Sequence, residues 1–247
     1  MTTSFLNLSA YRFVALPDAL SLREAIHAEG TRLGLKGTVL LAGEGINLFV
    51  AGAPEAVQQW LDGLQADTRF AALDVKRSWS AALPFRHLRV KVKREIIRMN
   101  QPQVQPAAGR AAAVDAATLK RWLDAGHDEA GREVVMLDTR NGFEVDAGAF
   151  KGALDWRLKK FSDFPAALAA NRQQLEGRTV VSYCTGGIRC EKAALAMREA
   201  GLDAVYQLDG GVLRWFEREP DAPHFRGRCF VFDERETLGP GLASAAR

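Results

Sequence analysis

Cysteine is scarce in this chain, which holds only Cys184, Cys190 and Cys229. An odd, sparse set excludes a disulfide framework and suits a reducing compartment. Histidine is scarce as well. His27, His87, His127 and His224 are scattered, with no zinc-ligand spacing toward the cysteines, so no metal site is expected. No run of about 18 apolar residues occurs, so no membrane contact is expected. Met1 to Asn7 lacks a basic stretch followed by an apolar run, so the expectation is a cytoplasmic protein without a signal peptide. Neither sign of charge dominates, because the net charge is only +3. No glycine fingerprint for a flavin and no two-histidine–carboxylate spacing for iron is found, so no cofactor is identifiable.

What is present is material for folded domains. The 247 residues, 47% hydrophobic and 26% charged, suffice for one large or two small packed cores. The most informative stretch is Cys184-Thr185-Gly186-Gly187-Ile188-Arg189-Cys190. Thr179 to Tyr183 before it is β-branched and aromatic, and predicts a buried strand. Glu191 to Ala200 after it predicts a helix stopped at Gly201. A cysteine at a strand end, followed by glycines and a helix start, faces backbone N–H groups and the positive end of a helix. A thiol there is stabilised as the thiolate, and Arg189 adds a fixed positive charge. Such a thiolate can carry a sulfane sulfur, attack a phosphate ester or be reversibly oxidised. The loop is one residue shorter than those of cysteine phosphatases, which favours a single sulfur over a tetrahedral phosphate. Cys190 is placed either as a partner that resolves chemistry on Cys184 or as a residue packed beneath the loop.

Residues 1–100 predict a first domain. The order is strand (Phe5–Leu16), helix (Asp18–Leu33), strand (Thr38–Ala42), strand (Ile46–Ala51), helix from Pro54, and a last strand in Phe85–Arg98. In the second helix Val57, Trp60, Leu61 and Leu64 fall on one face. This is the ferredoxin-like (acylphosphatase-like) βαββαβ pattern. Leu88 to Lys93 alternates, which puts Leu88, Val90 and Val92 toward the helices and Arg89, Lys91 and Lys93 on the opposite face. With Arg94 alongside, that face is either a phosphate-binding surface or an ordinary solvated strand face.

Residues 101–113 carry Pro102 and Pro106 and predict a linker. Residues 114–222 predict an α/β domain with a parallel sheet flanked by helices. Asp115 caps its first helix, and Val134–Leu137 is a strand ending in Asp138-Thr139-Arg140. The Cys184 loop follows the next strand, and Asp209-Gly210-Gly211 follows the last. Catalytic groups of such sheets gather at strand C-terminal ends, so these three segments should converge. Residues 223–247 predict a C-terminal tail.

At these residues the chain resembles the rhodanese superfamily. It is similar in particular to the rhodanese-domain tRNA uridine hydroxylases, through Cys184–Lys192, Gln207–Gly211, Cys229–Arg235, Gly43–Asn47 and the Arg89–Arg98 run. The resemblance covers nearly the whole chain. It implies oxygen-dependent formation of 5-hydroxyuridine at the wobble position of tRNA, with molecular oxygen as co-substrate and the anticodon region as partner. It also implies that Cys184 is the persulfide-forming active residue. Thr185, Gly186, Gly187, Ile188 and Arg189 are then the active-site loop, with Asp138, Arg140, Cys190 and Asp209 in support. Arg89, Lys91, Lys93 and Arg94 are the candidate tRNA contacts. Two alternatives stand beside it: a sulfurtransferase acting on small thiols or cyanide, and a non-catalytic RNA-binding protein. Protein partners are not indicated.

Overall fold

A computed structural model describes residues 4–244. The chain divides at Ile96. A first unit runs to that residue and takes back Phe232–Glu236, and a second holds Ile97–Val231 and the segment from Thr237.

The first unit contains β1 (Phe5–Phe13), α1 (Ala19–Arg32), β2 (Lys36–Ala42), β3 (Gly45–Gly52), α2 (Pro54–Gln65), β4 (Lys76–Ser80) and β5 (Leu88–Val92). Alternation along β1 sends Leu6, Leu8 and Ala10 to one face, where they join Leu48 and Val50 of β3. The helices cover that face with Ile26 from α1 and Val57, Trp60, Leu61 and Leu64 from α2. The sheet order is β4-β1-β3-β2-β5. Its first four strands make the ferredoxin-like arrangement that the sequence predicts.

The closing strand of that arrangement is β4, which the sequence reading omits. Its residues, Lys-Arg-Ser-Trp-Ser, carry no apolar alternation, because Lys76 and Ser78 are buried while Arg77 and Trp79 are exposed. The run placed last by the sequence reading is instead a fifth strand. β5 adds to the opposite edge, parallel to β2. The alternation read there holds: Val90 is buried, Leu88 and Val92 pack on the core, and Arg89 and Lys91 are exposed.

The second unit contains β6 (Ala113–Val114), α3 (Ala116–Ala125), β7 (Val134–Asp138), α4 (Gly142–Ala147), β8 (Gly148–Phe150), β9 (Leu154–Asp155), α5 (Phe164–Asn171), β10 (Thr179–Tyr183), α6 (Ile188–Glu199), β11 (Val205–Leu208), α7 (Gly211–Arg218), β12 (Phe225–Gly227), β13 (Cys229–Phe230) and β14 (Thr237–Leu238). Its main sheet, β6-β11-β10-β7-β9, is parallel throughout. Asp115 caps α3 by accepting from Thr118 N–H at 2.8 Å. One core cluster joins α3 and α7 to the sheet; another joins α5 and α6 to it.

Two segments differ from the sequence reading. The stretch read as a linker is bound into this unit. Val104 and Ala111 are buried in its core, Gln207 N–H donates to Ala112 O at 2.9 Å, and Ala113–Val114 pairs with β11. The stretch read as a tail is likewise built in. β12 pairs with β8, β13 with β14, and Cys229, Val231, Leu238 and Leu242 are buried. Residues 245–247 lie outside the described segment. Both segments look polar or proline-rich in sequence, yet their few apolar side chains are the ones that the core uses.

Candidate active site at the Cys184 loop

β10 is the middle strand of the parallel sheet, and Cys184 is the first residue beyond it. The chain turns through Gly187, whose φ of 107° lies in the left-handed region that glycine adopts without cost, and enters α6. Gly187 N–H donates to Cys184 Sγ at 3.2 Å. The N–H groups of Arg189 and Cys190 also hydrogen-bond to it. The sulfur thus sits on the N-terminal end of α6, where backbone donors and the helix dipole favour negative charge.

Cys184 is fully buried, and burial alone raises a thiol. That effect is outweighed by the hydrogen bond from the Cys190 thiol, by the Arg189 guanidinium and by the two backbone donors. The result is a thiol held well below its ordinary range, which favours the thiolate. Cys190 moves the opposite way. Burial, and then the hydrogen bond to Cys184 and its negative charge, push it well up. It keeps its proton, and that single S–H is divided between Cys184 Sγ and Gly187 O, the carbonyl lying 2.9 Å from Cys190 Sγ. Negative charge is therefore favoured on Cys184 and disfavoured on Cys190.

Arg189 is fixed by Glu144. Its Nη1 and Nη2 donate to the Glu144 carboxylate at 2.6 and 2.7 Å, both side chains being buried. The same carboxylate accepts from Asn141 N–H at 3.0 Å, so Glu144 caps α4 and clamps the loop at once. Thr185 Oγ1 bonds to Glu144 and to Phe230 O, each at 3.4 Å. From the other side, α7 moors the loop. Val212 N–H donates to Cys184 O and Leu213 N–H to Thr185 O, both at 3.0 Å. That approach requires Gly211, since a Cβ there would stand 2.4 Å from Cys184 O and its φ is +65°.

The structure gathers Thr185, Gly186, Gly187, Ile188, Arg189 and Cys190 around Cys184. Asp138 and Arg140 lie in the buried foundation. Arg140 Nε and Nη2 grip Asp138 at 2.9 and 2.6 Å, and Nη2 also donates to Gly148 O at 2.7 Å. The guanidinium lies over the Tyr183 ring, 5.4 Å from its centroid. The Asp209 side chain does not turn to the sulfur; it accepts from Arg110 at 3.1 Å. Arg89, Lys91, Lys93 and Arg94 are exposed and belong to the first unit.

Sequence reasoning gave no role to two residues that matter here. Glu144 carried a signal, the Asn141-x-x-Glu144 capping-box spacing, but nothing in sequence pairs it with Arg189. Cys229 carried only its place in the Cys229–Arg235 segment of the family resemblance. It is buried beside the loop, hydrogen-bonded to Thr185, and burial is the main cause that raises its thiol to about 11. Among the described residues, no group of three or more His, Cys, Asp or Glu side chains is placed to hold a metal ion.

Two family descriptions match the chain: a UPF0176 acylphosphatase like domain over residues 5–96 and a Rhodanese-like domain over residues 115–218. Full-length relatives are similar over both. The tRNA uridine(34) hydroxylase of Variovorax paradoxus (strain S110) is 60% identical over 241 residues, covering 98% of this chain and 91% of that protein. The protein of the same name from Bordetella avium (strain 197N) is 59% identical, covering 97% and 98%. That from Bordetella pertussis is 58% identical, covering 99% and 100%.

Proposed function

The chain belongs to the tRNA uridine(34) hydroxylase family, and on that premise we propose that it hydroxylates the wobble uridine of tRNA at C5, with Cys184 as the active residue. The observation that carries the assignment of Cys184 is its setting: a buried sulfur at the N-terminal end of α6 that accepts from Gly187 N–H, with Arg189 and the Cys190 thiol beside it favouring its negative form. A buried thiolate so equipped is a nucleophile toward a sulfane donor. It attacks the outer sulfur, sulfite or another leaving group departs with the electron pair of the broken S–S bond, and Cys184 becomes a persulfide. The terminal sulfur then stands about 2 Å beyond Sγ and carries the negative charge. Arg189 is held by Glu144 in the orientation that balances this negative charge.

Molecular oxygen is the proposed co-substrate. The anticodon loop is the proposed docking region, since unstacked bases there are open to an enzyme. Exposed Arg89, Lys91, Lys93 and Arg94 supply positive charge for its phosphates. The cytoplasm, where tRNA is found, is the proposed location; among the described residues no helix is long and apolar enough to cross a membrane.

Nucleoside mass spectrometry of tRNA tests the proposal. A host lacking the protein is expected to lose wobble 5-hydroxyuridine, with restoration by the wild type and none by Cys184→Ser. Unchanged 5-hydroxyuridine in the deletion host refutes the activity. Full restoration by the serine variant refutes the role of Cys184.

A further inference from the structure

Aromatic side chains of the second unit are mostly interior: Phe150, Phe161, Phe164, Tyr183, Trp215 and Phe216 are all buried. Phe143 departs from this and is 50% exposed. An exposed ring of that size costs hydrophobic free energy that burial would recover. Its position is what gives the exposure meaning. Phe143 lies in the first turn of α4, immediately before Glu144, whose carboxylate is locked onto Arg189 of the sulfur loop. The ring meets Phe230 edge to face, with centroids 5.1 Å apart and planes at 85°. Phe230 is tied to the same loop, because its carbonyl accepts from Thr185 Oγ1 at 3.4 Å, and its neighbour Cys229 is buried beside Thr185. Both rings of the pair are therefore one residue or less from a group that touches the loop of Cys184. Neither is mounted on a long flexible connection.

We infer that Phe143, braced by Phe230, is the platform on which the target uracil stacks while its C5 edge is presented to the sulfur loop. The inference rests on the tRNA reading above. A base taken out of its stack needs an apolar surface to replace the stacking it has lost, and a half-exposed phenyl ring supplies one. The rigid link through Glu144 fixes the ring, and hence the stacked base, in register with the loop. Stacking is tolerant of base identity but strict about geometry, so this ring would position the base. The phosphate contacts would supply most of the affinity.

The test uses the full-length protein and two anticodon stem-loop RNAs, one with uridine and one with an abasic nucleotide at position 34. Wild type is expected to bind the uridine loop about 5- to 150-fold more tightly, which is the worth of one aromatic stack. Phe143→Leu keeps the apolar contact with Phe230 but removes the π face, and the ratio should fall to about 1; Phe143→Tyr should restore it. Affinity for the abasic loop reports folding in every variant. If Phe143→Leu keeps the wild-type ratio, or if wild type itself does not discriminate, the platform is refuted. If Phe143→Ala leaves all RNA binding untouched, the ring serves a protein partner instead and the inference is likewise refuted. Failure of the tRNA reading looks different: wild type then binds neither loop.

Discussion

Gly211→Ala isolates the mooring of the sulfur loop by α7. A methyl group at this position would lie 2.4 Å from Cys184 O and 2.8 Å from both Gly187 N and Thr185 O, all backbone atoms that cannot rotate away. Restoring ordinary contact requires the loop and the first turn of α7 to part by about 1 Å. Two consequences follow. The alanine must hold φ near +65°, which costs roughly 1–2 kcal/mol. The hydrogen bonds from Val212 and Leu213 to Cys184 O and Thr185 O are lost or stretched, at about 0.5–1.5 kcal/mol each. The total is roughly 2–5 kcal/mol, a fall in Tm on the order of 4–20 °C for a protein of this size. Gly177→Ala is the control, because Gly177 has φ of +73° with no atom within 4 Å of the added carbon. It carries the backbone strain alone, roughly 1–2 kcal/mol and 2–8 °C. Thermal denaturation compares stability, and the ultraviolet absorbance of thiolate compares Cys184. A shift of about 1 Å at the reacting sulfur lowers uridine modification on the order of 100-fold in Gly211→Ala and leaves it unaltered in Gly177→Ala. If the two variants lose equal stability and Gly211→Ala keeps its thiolate, the mooring has been misread.

Other perturbations address the charge around the sulfur and the RNA surface. Arg189→Met strands the buried Glu144 carboxylate, so it should destabilise by about 3–5 kcal/mol in urea unfolding and shift the Cys184 thiolate titration upward. Cys190→Ala removes the S–H donor, and the same titration should move up; no movement would mean that the Cys190 thiol does not hold the Cys184 charge. The pH dependence of stability has a definite sign. Cys184 is depressed in the fold, so its contribution is present above the unfolded thiol range and is lost as pH falls through the folded value. The stability difference between wild type and Cys184→Ser should therefore shrink on acidification. Cys229 is raised to about 11, so its contribution is present below the unfolded range and is lost as pH climbs toward that value. Reversing Arg89, Lys91 and Lys93 to glutamate should reduce the log–log salt slope of tRNA binding by about 2–3, and an unchanged slope would make the face a solvated one.

The parts of this protein that were legible in sequence are those whose physics is local. Thr179 to Tyr183 is apolar enough to be read as a central strand, and the glycines after Cys184 announce the turn into α6. The helix stripe of Val57, Trp60, Leu61 and Leu64 is buried as its spacing requires. What escaped depends on distant partners. β4 is an edge strand in which Lys76 is buried beside Asp74 and the Tyr11 ring, so polar residues occupy positions where alternation would demand apolar ones. Val104 and Ala111 look like linker residues until Gln207 and β11 receive the backbone around them. Glu144 and Arg189 lie far apart in sequence and meet only because β7 and β10 are adjacent parallel strands. Cys229 reaches the loop through a segment whose own hairpin is two residues wide on each side, too short to declare itself.

The hold of α7 on the loop has a further consequence for how the protein can be watched. The amide protons of Val212 and Leu213 are committed to the carbonyls of Cys184 and Thr185, so they exchange with solvent only when helix and loop separate. They are two resident clocks for the opening of the active site. Sulfur loading, substrate capture and release can each be timed at these amides by deuterium uptake, with no label near the reactive sulfur.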